Sequence, residues 1–245
     1  MDNLRRLGGL AGIISGLATA WLTIALSVAF PAAGITLKGQ NDPNKYLPFV
    51  MRHTVLFWTT DVLGGIVAAL AVAILMLALA ERFGAESQDQ AKLGLTMGLV
   101  GALGLAVAAF IRLTAASYLT AIYGSAKLTA GVAFYAVNGM THGFLALGAV
   151  TLGLSALIYG GMMLKDSGYT HVGYLSVVAG TPLIISAFIP GDVLYMLSSG
   201  LITVWLFWTG AMLWQEAVAA EPARGVRNGR AQFRVVGRRR EQRAV

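Results

Sequence analysis

Four polar side chains interrupt stretches that are otherwise apolar, and these residues could carry chemistry: Asp61, Arg112, Asn138 and His142. Uncharged runs of 19, 19 and 21 residues separate Asp61, Arg112 and His142 from the far ends of their stretches, at residues 62–80, 93–111 and 143–163. At 1.5 Å per residue, each run spans about 30 Å as an α-helix, the thickness of a membrane's hydrocarbon core. We therefore expect these three side chains at one height, near the outer boundary of a membrane.

Asp61 and Arg112 are expected to form an ion pair. An ionised side chain inside a membrane costs at least about 2.5–3.5 kcal/mol, so it faces a partner or water. Asp61 is the only acidic residue within the apolar stretches. Asn138 lies one helical turn from His142 on the same helix face, which Tyr135 shares. We predict that one ligand-binding pocket contains Asp61, Arg112, Asn138, His142 and Tyr135.

The sequence leaves three functions open for this cluster. The first is an outward-facing pocket, between the second, third and fourth helices, of a protein that binds or translocates a small ligand. The second is a structural or accessory subunit of a larger membrane complex, in which the cluster holds helices in register. The third is a membrane enzyme, although the chain contains no GxSxG, HExxH or P-loop motif. We expect no enzyme, no metal and no cofactor.

The elements that must position these residues are membrane-spanning helices. Hydrophobic residues make up 57% of the 245 residues and charged residues 12%, about half the charged fraction of a soluble domain. Apolar stretches of about the length needed to cross a membrane occur at 8–30, 55–80, 93–123, 132–163, 172–189 and 193–214. Alternating strand patterns are missing. The predicted fold is all-α, a bundle of six transmembrane helices over residues 1–220.

The distribution of positive charge predicts the orientation. With the N-terminus inside, the inner segments hold 13 Lys and Arg residues and the outer segments hold four. Lys38, on the long connection 31–54, is one of the outer four. Cytoplasmic loops carry the excess of Lys and Arg, so both termini are expected in the cytoplasm. Eight of the inner arginines belong to residues 221–245, which we predict to be a disordered basic cytoplasmic tail.

The net charge of +7 does not indicate nucleic-acid binding. The basic tail lacks the interleaved aromatic residues that stack on bases, with Phe233 as its one aromatic side chain. Its expected partner is anionic lipid, which attracts basic residues near the membrane surface. The bilayer itself is the other expected partner.

Glycines spaced four residues apart recur along the predicted helices, as at Gly8, Gly12 and Gly16 and again at Gly139 and Gly143. Small residues at this spacing let helix backbones approach closely in lipid. They indicate packing within the chain, or a face for a homodimer or another membrane protein. The chain contains no cysteine, which excludes disulfides and iron–sulfur clusters.

The stretch 141–180 reads THGFLALGAVTLGLSALIYGGMMLKDSGYTHVGYLSVVAG. Its Gly-Phe after His142, its helix ending Ile158-Tyr159-Gly160 and its Lys165 before a Ser-Gly-Tyr turn carry a resemblance. They resemble the later half of the bacterial multi-pass membrane family called domain of unknown function 4386. The resemblance implies a bacterial plasma-membrane protein and assigns no activity.

Arg112 also resembles a position of that family, where an acidic residue often follows three places later. This chain has Ala115 there, which leaves Asp61 as the expected partner of Arg112.

The orientation can be tested with reporter fusions at Asp42 and at Arg230. Because Asp42 lies in the connection 31–54 and Arg230 in the basic tail, a phosphatase and a fluorescent-protein reporter should place them on opposite sides of the membrane. Signals from the same side at both positions would rule out the predicted topology.

Overall fold

A computed structural model describes residues 2–189 and 191–219 of the chain. The predicted basic tail, residues 221–245, lies outside the described residues. Helix α1 comprises Asp2–Ile24, a π-helical turn Ala25–Ala29 and Phe30–Ala32, and α2 is Pro43–Arg52. Helix α3 comprises Thr54–Asp61, a π-helical turn Val62–Val67 and Ala68–Phe83. The remaining helices are α4 Gln88–Tyr123, α5 Lys127–Met163, α6 Thr170–Ser186 and α7 Asp192–Ala219.

The described residues confirm the all-α class, and five of the helices are long and apolar enough to cross a membrane. Helices satisfy their backbone hydrogen bonds internally, as a chain in lipid requires. Helices α4 and α5 have 36 and 37 residues, about 54–56 Å, so they exceed the hydrocarbon thickness. Helix α6, expected over 172–189, has only 17 residues, about 26 Å, and falls short of the other five.

The six long helices of the described chain are arranged in a ring. Each packs against the next along the chain, and α7 returns to pack against α1. One end of the ring, here called the terminal end, holds residues 2 and 219, and the other, called the cap end, holds the connection between α1 and α3. This connection is folded rather than irregular, because a 3₁₀ helix Lys38–Asn41 precedes α2.

Helix α2 covers part of the cap end. Asp42 caps its N-terminus by accepting a hydrogen bond from the Asn44 N–H at 2.9 Å, and Pro43 occupies the first turn, where no N–H partner is needed. Its apolar face is buried against α1, α3, α4 and α5 through Tyr46 and Leu47, among other residues. The connection therefore belongs to the core of the bundle.

The terminal half of the ring is filled by packed side chains. Its core includes Met76, Phe83, Tyr159 and Trp205, each with no exposed surface. Two of the largest buried polar side chains of this half have partners: Tyr159 Oη donates to the Ala91 carbonyl at 3.1 Å, and Trp205 Nε1 donates to Ser176 Oγ at 2.6 Å. Nearer the cap end, a cavity separates the helices.

Glycines set the closest helix contacts. A Cβ atom at Gly210 of α7 would lie 2.6 Å from the backbone carbon of Gly12 in α1, so the two helices touch backbone to backbone. The predicted role holds for the α1 glycines. Packing within the chain is the wrong role for Gly139 and Gly143 of α5, where a Cβ atom would meet nothing within 4 Å.

The shortness of α6 explains that open face. Close contacts between α5 and α6 involve Gly153 with Gly180 and Gly160 with Gly173, so α6 ends before it reaches the cap-end half of α5. Helices α5 and α7 make no extended contact that could replace it. A gap in the ring therefore lies between α5 and α7, beyond the end of α6.

Substitution of Gly210 by alanine should separate α1 from α7. Because the added methyl group would overlap the backbone of Gly12, we expect the free energy of unfolding to fall by about 1–3 kcal/mol. Reversible unfolding in mixed micelles measures the loss. Gly143→Ala is the matched control and should leave stability unchanged or slightly raised, since alanine favours the helix and meets nothing there. Equal losses in both variants would contradict the packing described.

Candidate ligand-binding site

A cavity of about 770 Å³ occupies the axis of the ring on the cap-end side. Its volume lies within the range of small-molecule sites, roughly 300–1,000 Å³. All six long helices of the described chain line it, as does the connection that carries α2, with Leu22, Leu47, Ala68, Leu105, Ala149, Leu183 and Ile202 among the lining residues. The predicted pocket between the second, third and fourth helices is therefore too narrow a description.

The lining changes from polar to apolar along the cavity. Near the cap end it presents Gln40, Arg112, Asn138, His142 and Tyr195, together with apolar side chains such as Leu47 and Phe134. Nearer the terminal end it presents mostly aliphatic side chains, including Val72, Leu105, Leu152, Ile202 and Leu206. Along α5 this division runs from His142 to Leu152, ten residues or about 15 Å of helix. The cavity is therefore amphipathic along the bundle axis.

The predicted ion pair is present at the polar end. Arg112 Nε lies 3.4 Å from Asp61 Oδ1, and the guanidinium also donates to Tyr46 Oη at 3.4 Å. Asp61 is only 4% exposed, and its second oxygen, Oδ2, is buried without a hydrogen-bond partner. Arg112 thus neutralises the buried Asp61 carboxylate, which its surroundings could not solvate.

Asp61 does not line the large cavity directly. It borders a small adjoining void of about 40 Å³ that Arg112 and Tyr195 also border. A void of this size can hold one water molecule. Arg112 lines both spaces and therefore connects Asp61 to the cavity.

Asn138 and His142 are held by a residue that the sequence did not single out. Asn138 Nδ2 donates to Asn41 Oδ1 at 3.0 Å, and His142 Nε2 lies 3.2 Å from the same oxygen. With Nε2 protonated, one amide oxygen accepts both hydrogen bonds and ties α5 to the connection 31–54. All three side chains line the cavity.

Tyr135 is not brought into the site. It shares the helix face of His142, as predicted, but that face opens into the gap that α6 leaves, and Tyr135 is 59% exposed. Its ring packs against Phe134 with the centroids 5.9 Å apart, and Phe134 is the side chain that lines the cavity. Helical periodicity predicted which face of α5 Tyr135 occupies, but it could not predict whether another helix would cover that face.

Sequence reasoning missed the contribution of the connection and of α7. Gln40 and Asn41 come from a short 3₁₀ helix, so no sequence pattern predicts them, whereas Tyr46, Leu47 and Val50 of α2 repeat at helical spacing. In α7, however, Tyr195, Ser198, Ser199 and Ile202 recur at helical spacing along the cavity. The hydroxyl groups of Tyr195, Ser198 and Ser199 on one helix face were a usable signal.

A second polar cluster closes the terminal end, and the sequence did not predict it. Arg82 of α3 donates from Nε to both carboxylate oxygens of Glu216, at 2.7 and 2.9 Å, and its Nη2 lies 2.7 Å from Asp166 Oδ2. Tyr169 Oη donates to Glu216 at 2.7 Å, and burial together with this bond raises the pKa of Tyr169 above its usual value. The cluster joins α3, α7 and the α5–α6 turn.

The described residues contain no evident metal-binding site. Among the described residues, no three His, Asp or Glu side chains are grouped so as to hold an ion.

Comparison with known proteins adds no relative: no family model, no curated protein and no solved structure matches the chain. The site therefore has to be interpreted from its own geometry.

The Asp61–Arg112 pair can be measured with a double-mutant cycle. Removing one partner of a buried ion pair leaves an uncompensated charge and typically costs about 3–5 kcal/mol, whereas replacing both can be nearly neutral. Asp61→Asn and Arg112→Met should each lower the melting temperature in detergent sharply, and the double variant should recover much of that loss.

The exposed residues Asp89 and Lys92 of α4 provide the control, since the same pair of changes there should have little effect. Losses that simply add at Asp61 and Arg112 would show that the two side chains do not interact.

Proposed function

We propose that this chain is a six-span protein of a bacterial plasma membrane that binds a small ligand in an outward-facing cavity. The supporting observation is the cavity itself, which is polar toward the cap end and closed toward the terminal end by packed core residues. We also propose that the chain belongs to the bacterial multi-pass membrane family that its sequence resembles.

Orientation follows from charge and helix order. Six spans place residues 2 and 219 on one side of the membrane, and the excess of Lys and Arg assigns that side to the cytoplasm. In this proposal α6 is the fifth span, whose 17 residues cross where the bilayer thins around it. The cap end and the mouth of the cavity then face outward.

The proposal includes translocation because identifiable side-chain contacts close the inner end of the cavity. A ligand that moved on toward the cytoplasm would have to pass the core around Met76 and Trp205 and then the Arg82–Glu216 cluster. Separation of α3 from α7 at that cluster is the movement that release on the inner side requires. A binding protein or sensor would keep the cluster closed.

The alternative function, an accessory subunit, has one observation in its favour. The gap between α5 and α7 exposes Gly139 and Gly143, where a helix of another protein would fit. In that case the partner helix would cover the mouth of the cavity in the cell.

Cysteine labelling tests the proposal, because the natural chain has no cysteine. Single variants Ala115→Cys and Ala149→Cys place a thiol on the cavity wall at two depths. Intact cells are treated with a charged, membrane-impermeant methanethiosulfonate reagent. Both thiols should react from outside because water fills a cavity open to that side.

Ala156→Cys is the matched control on the same helix, since Ala156 has no exposed surface and lies in the closed half. It should stay unlabelled. Cavity thiols that react only in inverted vesicles would reverse the proposed orientation. Cavity thiols that react only after purification would favour the covered, accessory-subunit arrangement.

A further inference from the structure

We infer that the ligand is an anionic amphiphile, a molecule with one negatively charged head and one apolar chain, and that it binds together with one proton. This inference rests on the proposed function and names the ligand class of the same cavity. The head would bind at Arg112 and the chain would extend toward Leu152 and Leu206.

The shape of the lining supports an amphiphile. The polar and apolar parts of the cavity follow one another along the axis, over about 15 Å of α5. A small polar solute would leave the aliphatic half unfilled, and a pure hydrocarbon would leave the buried amide nitrogen of Gln40 without an acceptor. Only a molecule with both parts matches both halves.

A negative head is inferred because the polar end of the cavity presents one cation and at least one unpaired hydrogen-bond donor. Arg112 is the only Lys or Arg that lines the cavity in the described chain. The amide nitrogen of Gln40, also in the lining, is buried without a partner. Tyr46 Oη accepts from Arg112, which leaves its own hydrogen available to donate. A carboxylate, sulfonate or phosphate head accepts from such a set.

The gap between α5 and α7 provides the entrance. His142 lies on the wall of the cavity and is itself exposed. Phe188 and Val193, which flank the gap at the end of α6 and the start of α7, are 73% and 83% exposed. An amphiphile in the outer leaflet would thus meet an opening at the height where its head already lies.

Proton uptake follows from the charge balance at Arg112. The guanidinium is already paired with Asp61, so a bound anion brings a second negative charge to one cation. Asp61 is 4% exposed and has no other ionic partner among the described residues. Protonation of Asp61 Oδ2, from water through the adjoining void, restores one cation and one anion.

Other titratable groups face this position and must be separated from Asp61 in any test. Tyr46 of α2 and Tyr195 of α7 border the pair and stay neutral near pH 7, whereas His142 of α5 lines the same cavity. Asp192 lies at the exposed rim. Protonation of His142 would also favour an anion, so it is the competing source of any pH dependence.

The test is equilibrium binding of radiolabelled dodecanesulfonate to the full chain in phosphatidylcholine nanodiscs between pH 6 and 8.5. A sulfonate stays ionised throughout this range, so the probe itself contributes no pH dependence. We expect one saturable site, with decanesulfonate binding about 16-fold more weakly, at about fourfold per methylene group. Dodecyltrimethylammonium and methanesulfonate, which lack the negative head and the chain respectively, should not compete.

The dissociation constant should rise with pH, by up to about tenfold per unit, because one proton binds with each anion. Asp61→Asn should bind the probe with no pH dependence, whereas His142→Gln should keep the dependence. Arg112→Gln should lose binding, and Ala146→Trp, which fills the cavity, should lose it without changing any charge. The Ala146 variant also controls for binding to the basic tail.

A pH dependence that survives Asp61→Asn and disappears in His142→Gln would overturn the proton coupling. Equal competition by the cationic probe would overturn the anionic head. If the cavity thiols react from outside and no sulfonate binds, the ligand class is wrong while the proposed binding function stands. If those thiols do not react, the proposed function itself fails.

Discussion

The arrangement of the cap-end half depends on one electrostatic constraint, which is that Arg112 cannot be left alone inside the bundle. The guanidinium is neutralised by Asp61 at 3.4 Å, and this contact requires α3 and α4 to be neighbours at that height. Helix α2 must then fold over the ring, because Tyr46 supplies the second oxygen that Arg112 contacts. These three elements, fixed around one cation, form part of the wall of a cavity that the other long helices complete.

The two ends of the bundle use charge in different ways. At the terminal end, Arg82 bonds carboxylates from two other segments, so its donors are consumed and the helices are locked together. At the cap end, Arg112 has a single carboxylate partner and faces empty volume. Saturated polar clusters rigidify a fold, whereas an incompletely satisfied one beside a cavity can accept a further group. This asymmetry supports a site at Arg112 and a closure at Arg82.

The helical class, the Asp61–Arg112 pair and the presence of Arg112 and His142 in one site could be predicted, because apolar length and the cost of an isolated charge act along the sequence. The role of Asn41 could not, since it depends on how an aperiodic connection folds over the ring. Tyr135 was misplaced because periodicity gives the direction of a side chain and not the length of the helix opposite. The early end of α6 at Ser186 is the fact that decides its exposure.

The π-helical turn Val62–Val67 has a consequence for how Asp61 is aimed. A π turn holds more residues per hydrogen-bonded loop than an α turn, so the parts of α3 before and after it are out of phase. Each residue corresponds to about 100° of rotation in an α-helix. If the turn returned to α geometry, segment 54–61 would swing about the helix axis while 68–83 kept its contacts. Asp61 is the last residue before the turn. The direction of its carboxylate therefore depends on how the backbone of Val62–Val67 is wound. A change of this turn between π and α geometry would therefore rotate the Asp61 carboxylate about the axis of α3.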